Sequence, residues 1–227
     1  MNILLVNDDG WDAPGLAALK HVAEQVGDVW TAAPIEKMSG CGHQLTLHRS
    51  IPLRQLSERL WAVDGTPADC VRVAVSRWQV VFDWVWSGMN EGANLGCDVF
   101  RSGTAAAARE ATLLGIPALA ISQYQRAWKE PFDWNSSICQ AQRVWETIKN
   151  RFLPPGKFWN VNLPDLSQTP NVVPALADCP LDPNPLPLDY SHESNASIYK
   201  GRYDLRPAIP NHDVALCLSG AITLTPC

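Results

Sequence analysis

The stretch Asn2-Ile3-Leu4-Leu5-Val6-Asn7-Asp8-Asp9-Gly10 decides how this chain is read. Four consecutive apolar residues, Ile3 to Val6, predict a short strand buried on both faces. A polar loop follows, and Pro14 stands where the first turn of a helix accepts proline. Leu16, Leu19, Val22, Ala23 and Val26 then recur at helical spacing, with Gly27 as the stop. Val29 to Ala33 predicts a second strand. A β-loop-α-β opening of this kind produces parallel strands with a right-handed crossover.

The alternation continues outward from there. A glycine-bearing loop, Ser39 to Gly42, precedes a strand at Arg59 to Val63. Gly65-Thr66-Pro67 supplies a turn, an N-cap and a first-turn proline for a helix to about Arg77. Val80 to Trp86 predicts a strand ending at Ser87-Gly88. Ser102 caps a helix from Gly103 to Leu114, stopped by Gly115, and Ala118 to Ser122 is the next strand. A helix over 133–152 and a strand over 158–163 complete the pattern. The expected fold is α/β, a doubly wound, mostly parallel, Rossmann-like sheet with an irregular or β-rich C-terminal appendage. Residues 1–163 form the expected catalytic core. Nine of the 18 prolines lie between Pro154 and Pro187, so 164–212 reads as an extended appendage serving oligomerisation, with a hairpin near Ala196 to Lys200. Apolar stretches at Val214 to Leu218 and Ala221 to Leu224 return 213–227 to the core.

Composition narrows the function classes. The 227 residues are 46% hydrophobic and 18% charged, with a net charge of −5. That balance is globular, and it carries no basic patch for a nucleic-acid polymer. An acidic surface does not draw the chain to anionic membranes, and no apolar run is long enough to span a bilayer. The N-terminus enters a strand at once, without a basic leader, and the seven cysteines are odd in number with no CxxC pair. Both features point to the cytoplasm and away from a disulfide framework or a cysteine zinc site.

In open α/β sheets, ligands bind beyond the carboxyl ends of the strands. Four polar segments fall there: Asn7 to Gly10, the Ser39 loop, Gly65-Thr66, and Ser87 to Asn90. Asp8 and Asp9 are adjacent anions that repel unless a cation joins them. Oxygen donors without His or Cys favour Mg²⁺ or Mn²⁺, and Ser39 and Asn90 could add neutral oxygens. Taken alone, the pair reads equally well as a solvated acidic turn. Ser87-Gly88-Met89-Asn90-Glu91-Gly92-Ala93-Asn94-Leu95-Gly96 allows close backbone approach to a ligand, although such a stretch alone is more often a plain surface loop. Ser102-Gly103-Thr104 opens an alanine-rich helix whose N-terminus suits a phosphate, over and above ordinary capping by Ser102. His43 is a candidate substrate contact, with a structural role the blander reading. Trp128 and Trp134 are weak candidates for stacking on a base, His192 and His212 have no evident partner, and Cys70 reads as buried.

These blocks, in this order, resemble the SurE (survival protein E) family of metal-dependent nucleoside monophosphate phosphatases. The matching residues are Asn7 to Gly10 with Ala13-Pro14-Gly15, Ala33-Pro34 with Ser39-Gly40, Gly65 to Val71, Ser87 to Gly96, and Ser102 to Thr104. Asn160 to Pro164 and Thr223 to Pro226 extend the match weakly. The resemblance implies one divalent cation per subunit, Mg²⁺ or Mn²⁺, on Asp8, Asp9, Ser39 and Asn90. It implies phosphate contacts at Asn94, Ser102, Gly103 and Thr104, with Asp8 and Asp9 as the catalytic pair. It further implies hydrolysis of 5′- and 3′-nucleoside monophosphates, a side activity on short polyphosphate, and a homodimer or homotetramer with exchanged C-terminal segments. Water is the expected nucleophile, with direct attack by Asp8 as the variant.

The chain departs from the family pattern at Arg101, where an aromatic is usual, and at Gln44, His212 and Ala221. Arg101 is therefore a second candidate substrate contact. Two rival readings are a nucleotide-binding sensor without turnover and a haloacid-dehalogenase-like phosphatase. The latter expects carboxylates in DxD spacing, whereas these are contiguous.

Overall fold

The computed structural model describes residues 1–126, 132–169 and 172–227. Strand β1 (Asn2–Val6) is central, and its alternation shows why the opening run is apolar throughout. Ile3 and Leu5 enter one core layer, Leu4 and Val6 the other, and all four are fully buried. The first layer is covered by α1 (Pro14–Ala23) and α4 (Trp134–Ile148), the second by α2 (Pro67–Arg77) and α3 (Gly103–Leu113). Each α1, α2 and α3 start matches its sequence signal. Thr66 and Asp69 form a reciprocal capping box on α2, and Ser102 Oγ accepts Ala105 N at 3.0 Å on α3.

The remaining strands are β2 (Asp28–Pro34), β3 (Leu53–Ser57), β4 (Leu60–Val63), β5 (Trp84–Glu91), β6 (Ala118–Gln123), β7 (Trp159–Leu163) and β8 (Leu176–Asp178). A small hairpin follows, β9 (Tyr190–His192) with β10 (Ser197–Tyr199), and then β11 (Ile222–Pro226). Nine of them form one sheet in the order β3-β4-β2-β1-β5-β6-β7-β11-β8. From β4 to β7 every pair is parallel, while β3 and β11 run antiparallel to β4 and β7. This is the doubly wound, mostly parallel sheet expected. The chain moves outward from β1 in one direction through β2 and in the other through β5. The loops after β1 and β5 therefore flank the topological switch point.

Local departures have physical causes. Strand β5 begins four residues later than expected and continues through the glycine motif to Glu91. Its register against β6 slips between Ser87 and Asn90, a bulge at Gly88, whose φ of 130° a side chain would oppose. Helix α1 stops at Ala23 and tightens through Gln25 and Val26, each bonded three residues back, before Gly27. Helix α4 starts at Trp134 with Asp133 as its cap and ends at Ile148, short of Phe152. β3 is an additional edge strand whose polar residues hide its period. In the C-terminal third, β8 pairs in parallel with β11, and Asp213–Leu218 is a short helix, α5. No helix among the described residues is long and apolar enough to cross a membrane.

Candidate functional site

Asp8 and Asp9 leave the end of β1 at the switch point. Asp8 is 4% exposed, and its Oδ1 accepts the Thr104 hydroxyl at 2.7 Å. Thr104 stands in the first turn of α3, so the carboxylate lies at the positive end of that helix. Burial and, to a lesser degree, the charge of Asp9 push the Asp8 carboxyl up to about 6, against the Thr104 hydrogen bond. The approach is tight. A Cβ built on Gly103 would lie 2.7 Å from Asp8 Cβ and 3.0 Å from Cys41 Sγ. Only glycine lets α3 and the Asp8 loop meet at this distance.

Asp9 Oδ2 accepts the Glu91 amide at 3.4 Å, which ties the loop after β1 to the end of β5. Lys37 Nζ lies 2.8 Å from Asp9 Oδ1, and this contact raises the lysine pKa. The acidic pair thus already attracts a cation from its own chain. Ser39 is exposed in a turn moored to the pair, because Met38 N donates to the Asp8 carbonyl at 2.7 Å. The same loop is moored to the end preceding α3 through Gly42 N and the Arg101 carbonyl at 3.0 Å. Asn90 commits its Nδ2 to the Gly92 carbonyl at 2.6 Å, so its Oδ1 is the atom left for a cation. Two carboxylates, a hydroxyl and an amide oxygen form a hard donor set, and no cluster of three or more His, Cys, Asp or Glu occurs among the described residues. This set suits Mg²⁺ or Mn²⁺.

Asn94 is gripped from three sides. Its amide donates to Asn162 Oδ1 at 2.8 Å, and its carbonyl accepts Asn160 Nδ2 and Asn162 Nδ2 at 2.9 and 3.0 Å. Its own Nδ2 donates one proton to Ser122 Oγ at 2.7 Å, leaving the second for an anion. Ser102 spends its oxygen on the helix cap, and the Thr104 amide and hydroxyl both turn to Asp8. The loop after β1, the Ser39 turn, the β5 end and the α3 start therefore meet at one edge of the sheet.

The two candidate substrate contacts are both engaged elsewhere. His43 Nε2 lies 2.7 Å from Glu110 Oε2, more than two turns along α3 from Ser102, and Glu110 is buried and also paired with Arg72 at 2.7 Å. Arg101 Nη2 pairs with Asp98 Oδ1 at 2.8 Å. Trp134 packs over Gly15 and stacks on Phe132, Cys70 is fully buried, and Trp128 lies outside the described residues. His192 bonds Ser197 within the hairpin, and His212 bonds the Pro210 carbonyl before α5. Lys37, Cys41 and Glu110 escaped the sequence reading. Lys37 belongs to no motif, although a lone cation two residues before Ser39 was a visible signal. Cys41 stands beside Asp8, with its thiol pushed up to about 11 by burial and that charge.

A doubly wound α/β sheet with paired carboxylates at its switch point, facing a glycine-led helix N-terminus, defines a Rossmann-like protein with a candidate site at its sheet edge. Comparison with known proteins then gives the particular family. The family described as Survival protein SurE matches residues 3–177, and the chain belongs to it. A relative from Nostoc sp. (strain PCC 7120) is 43% identical over 225 residues, 99% of this chain and 98% of its own. The 5′-nucleotidase SurE of Geotalea daltonii is 46% identical over 167 residues, 73% of this chain and 66% of its own. The crystal structure of the SurE protein from Aquifex aeolicus matches with a TM-score of 0.82 at 29% identity, covering 100% of this chain and 93% of that one.

Proposed function

We propose that this chain is a metal-dependent 5′-nucleotidase, a phosphoric monoester hydrolase that releases phosphate from nucleoside monophosphates. The observation that carries the reading is the junction of Asp8 with the α3 N-terminus, beside Asp9. Carboxylates that could hold a cation then share an edge with donors that could hold an anion, which supports the reading. Family membership, and relatives named as 5′-nucleotidases, support the class of reaction.

Asp8, Asp9, Ser39 and Asn90 would hold one Mg²⁺ or Mn²⁺. When bound, that ion supplies Lewis-acid polarisation of the phosphoryl group and lowers the pKa of water. Asn94 Nδ2 and the Gly103 amide at the start of α3 donate to the phosphoryl oxygens and stabilise charge as it develops, while Thr104 holds Asp8. Asp8 orients the attacking water and accepts its proton, held in place by Thr104. Lys37 balances the charge of Asp9 in the free protein. Activity on 3′-monophosphates and short polyphosphate belongs to the same proposal, since these anionic donors grip the phosphoryl end whatever it is attached to. We place the chain in the cytoplasm on its scattered, odd-numbered cysteines, and as a homodimer or homotetramer in which residues of the segment 164–212 make subunit contacts.

The test is phosphate release from 5′- and 3′-mononucleotides and tripolyphosphate, with Mg²⁺, Mn²⁺ or EDTA. Release from 5′-monophosphates that stops in EDTA supports the reading. Nucleotide binding by folded protein without release under any condition would replace it with the sensor reading.

A further inference from the structure

We propose that Asn160 and Asn162, two buried amides of β7, are positioning residues for the reaction, holding the Asn94 backbone so that its side-chain amide is set to meet the phosphoryl group. The proposal rests on the nucleotidase reading, in which Asn94 is a phosphoryl donor, and adds what keeps that donor in place.

Strand β7 reads Trp159-Asn160-Val161-Asn162-Leu163, and its alternation divides it in two. Trp159, Val161 and Leu163 enter the first core layer. Asn160 and Asn162 point to the other face, and both are fully buried. Asparagine is disfavoured in strands, and burying an amide costs free energy unless its polar atoms are bonded. Among the described residues, each side-chain hydrogen bond these two make runs to one residue, Asn94, in a distant part of the chain.

Asn94 has no ladder of its own. It lies past the end of β5 at Glu91 and before the short turn over Gly96–Phe100, in neither helix nor strand. Asn162 supplies both halves of the missing pairing. Its Oδ1 accepts the Asn94 amide at 2.8 Å, and its Nδ2 donates to the Asn94 carbonyl at 3.0 Å. Asn160 Nδ2 donates to the same carbonyl at 2.9 Å, which fills both lone pairs of that oxygen. With the groups on either side of its Cα held, the direction in which the Asn94 side chain leaves the backbone is fixed. One further bond sets the side chain itself. Asn94 Nδ2 donates to Ser122 Oγ at 2.7 Å, and Ser122 is the direct neighbour of Asn162 in the sheet. The remaining Nδ2 proton then has one direction. A donor fixed in advance stabilises developing charge without reorganising.

Only an amide serves at 162, because it accepts from the N–H and donates to the C=O of the same residue. Aspartate lacks the proton for the carbonyl, and leucine satisfies neither group. A role in packing alone does not account for Asn160, whose Oδ1 is buried with no hydrogen-bond partner among the described residues. A side chain that only filled space would not carry that cost.

The experiment is a double-mutant cycle between Asn162 and Asn94, read by phosphate release from adenosine 5′-monophosphate in Mn²⁺. Asn162→Ala is expected to lower kcat/KM by about tenfold or more, with kcat taking the greater share. The Mn²⁺ concentration for half-saturation is expected to stay within about twofold of wild type, since no proposed metal ligand is touched. Asn160→Ala leaves one of the two donors to the Asn94 carbonyl and is expected to lower kcat/KM about threefold. In an Asn94→Ala background, Asn162→Ala is expected to cost less than about twofold more, because it acts through a group already gone. A full additional cost in that background, or wild-type kcat/KM in folded Asn162→Ala, overturns the proposal. Wild-type activity in Asn94→Ala would remove the donor and the proposal with it. A second measurement needs no variant to fold. By NMR of wild type, inorganic phosphate is expected to shift the Asn94 side-chain amide. The Asn94 backbone amide is expected to exchange with solvent about a thousandfold more slowly than an unstructured peptide, before and after phosphate is added. Fast exchange of that amide in the free protein overturns the proposal. Failure of wild type to release phosphate sinks the nucleotidase reading instead, and hydrogen exchange still decides whether Asn94 is held.

Discussion

Thr104 Oγ1 donates to Asp8 Oδ1 at 2.7 Å, joining the first loop of the sheet to a helix that begins almost a hundred residues later. Both partners are buried, so the bond is sheltered from water and fixes one carboxylate oxygen. The other oxygen is then directed by the same constraint. Asp8→Asn keeps the shape and the contact with Thr104 but removes the charge. Metal-dependent phosphate release should fall roughly a thousandfold, about 4 kcal/mol of barrier. Thr104→Val should cost tenfold or more in kcat/KM. Wild-type turnover in folded Asp8→Asn protein would remove Asp8 from the mechanism.

Gly103→Ala tests the close approach of α3. The added methyl would meet Asp8 Cβ and Cys41 Sγ, both held by backbone on either side. The helix itself should gain slightly, since alanine is the better helix former by about 1 kcal/mol. Activity should nevertheless drop at least a hundredfold as Asp8 is displaced. Circular dichroism and phosphate release, measured on the same sample, separate the two effects. Unchanged turnover would show that the loop yields.

The metal-free protein should carry a pH signature from Asp8. Its carboxyl is raised from 3.8 to about 6 in the folded state, chiefly by burial, so the folded state binds a proton that the unfolded chain has released. Stability from this group is full below pH 4 and is lost as pH rises through about 6. The difference amounts to roughly 3 kcal/mol. In EDTA, Asp8→Asn should therefore gain stability relative to wild type by about that amount between pH 4 and pH 7. Urea unfolding of both proteins at the two pH values checks it. Mn²⁺ added at pH 7 should stabilise wild type and close the gap.

Glu110 is the buried anchor of the Ser39–His43 loop, bridging His43 and Arg72. Arg72 is half exposed, which weakens its share. Glu110→Ala should lower stability by about 1–3 kcal/mol, read by urea unfolding. It should also raise the Mn²⁺ concentration needed for half-saturation, because the loop presenting Ser39 loses a tether. A variant with wild-type metal affinity would confine Glu110 to a packing role.

Lys37→Met probes the cation already beside Asp9. Removing an ammonium 2.8 Å from Asp9 Oδ1 should tighten Mn²⁺ binding severalfold, as measured by calorimetry. Unchanged affinity would mean that Lys37 swings away at no cost, as its half-exposed side chain allows.

The sequence by itself determined the central sheet and which polar segments stand at its carboxyl edge. An unbroken apolar run such as Ile3 to Val6 has one stable placement, between two helical layers, and the polar residues that follow must then stand at its carboxyl edge. Capping signals at Thr66 and Ser102 were equally local, because an N-cap bonds amides two or three residues away. The edge strand Leu53–Ser57, the continuation of β5 through Gly88, and the return of β11 between β7 and β8 were decided elsewhere. Their hydrogen-bond partners lie on distant segments, and no period within the strand announces them. The same holds at the site. Asp8, Asp9, Ser39, Asn90 and Asn94 stood out as residues, but their neighbours did not. Lys37 on Asp9, Glu110 on His43 and Asn162 on Asn94 are pairings of ordinary charged or polar residues. Only the tertiary structure decides them, because an ion pair or a hydrogen bond needs two chemical groups at one place, and chain distance does not encode that meeting.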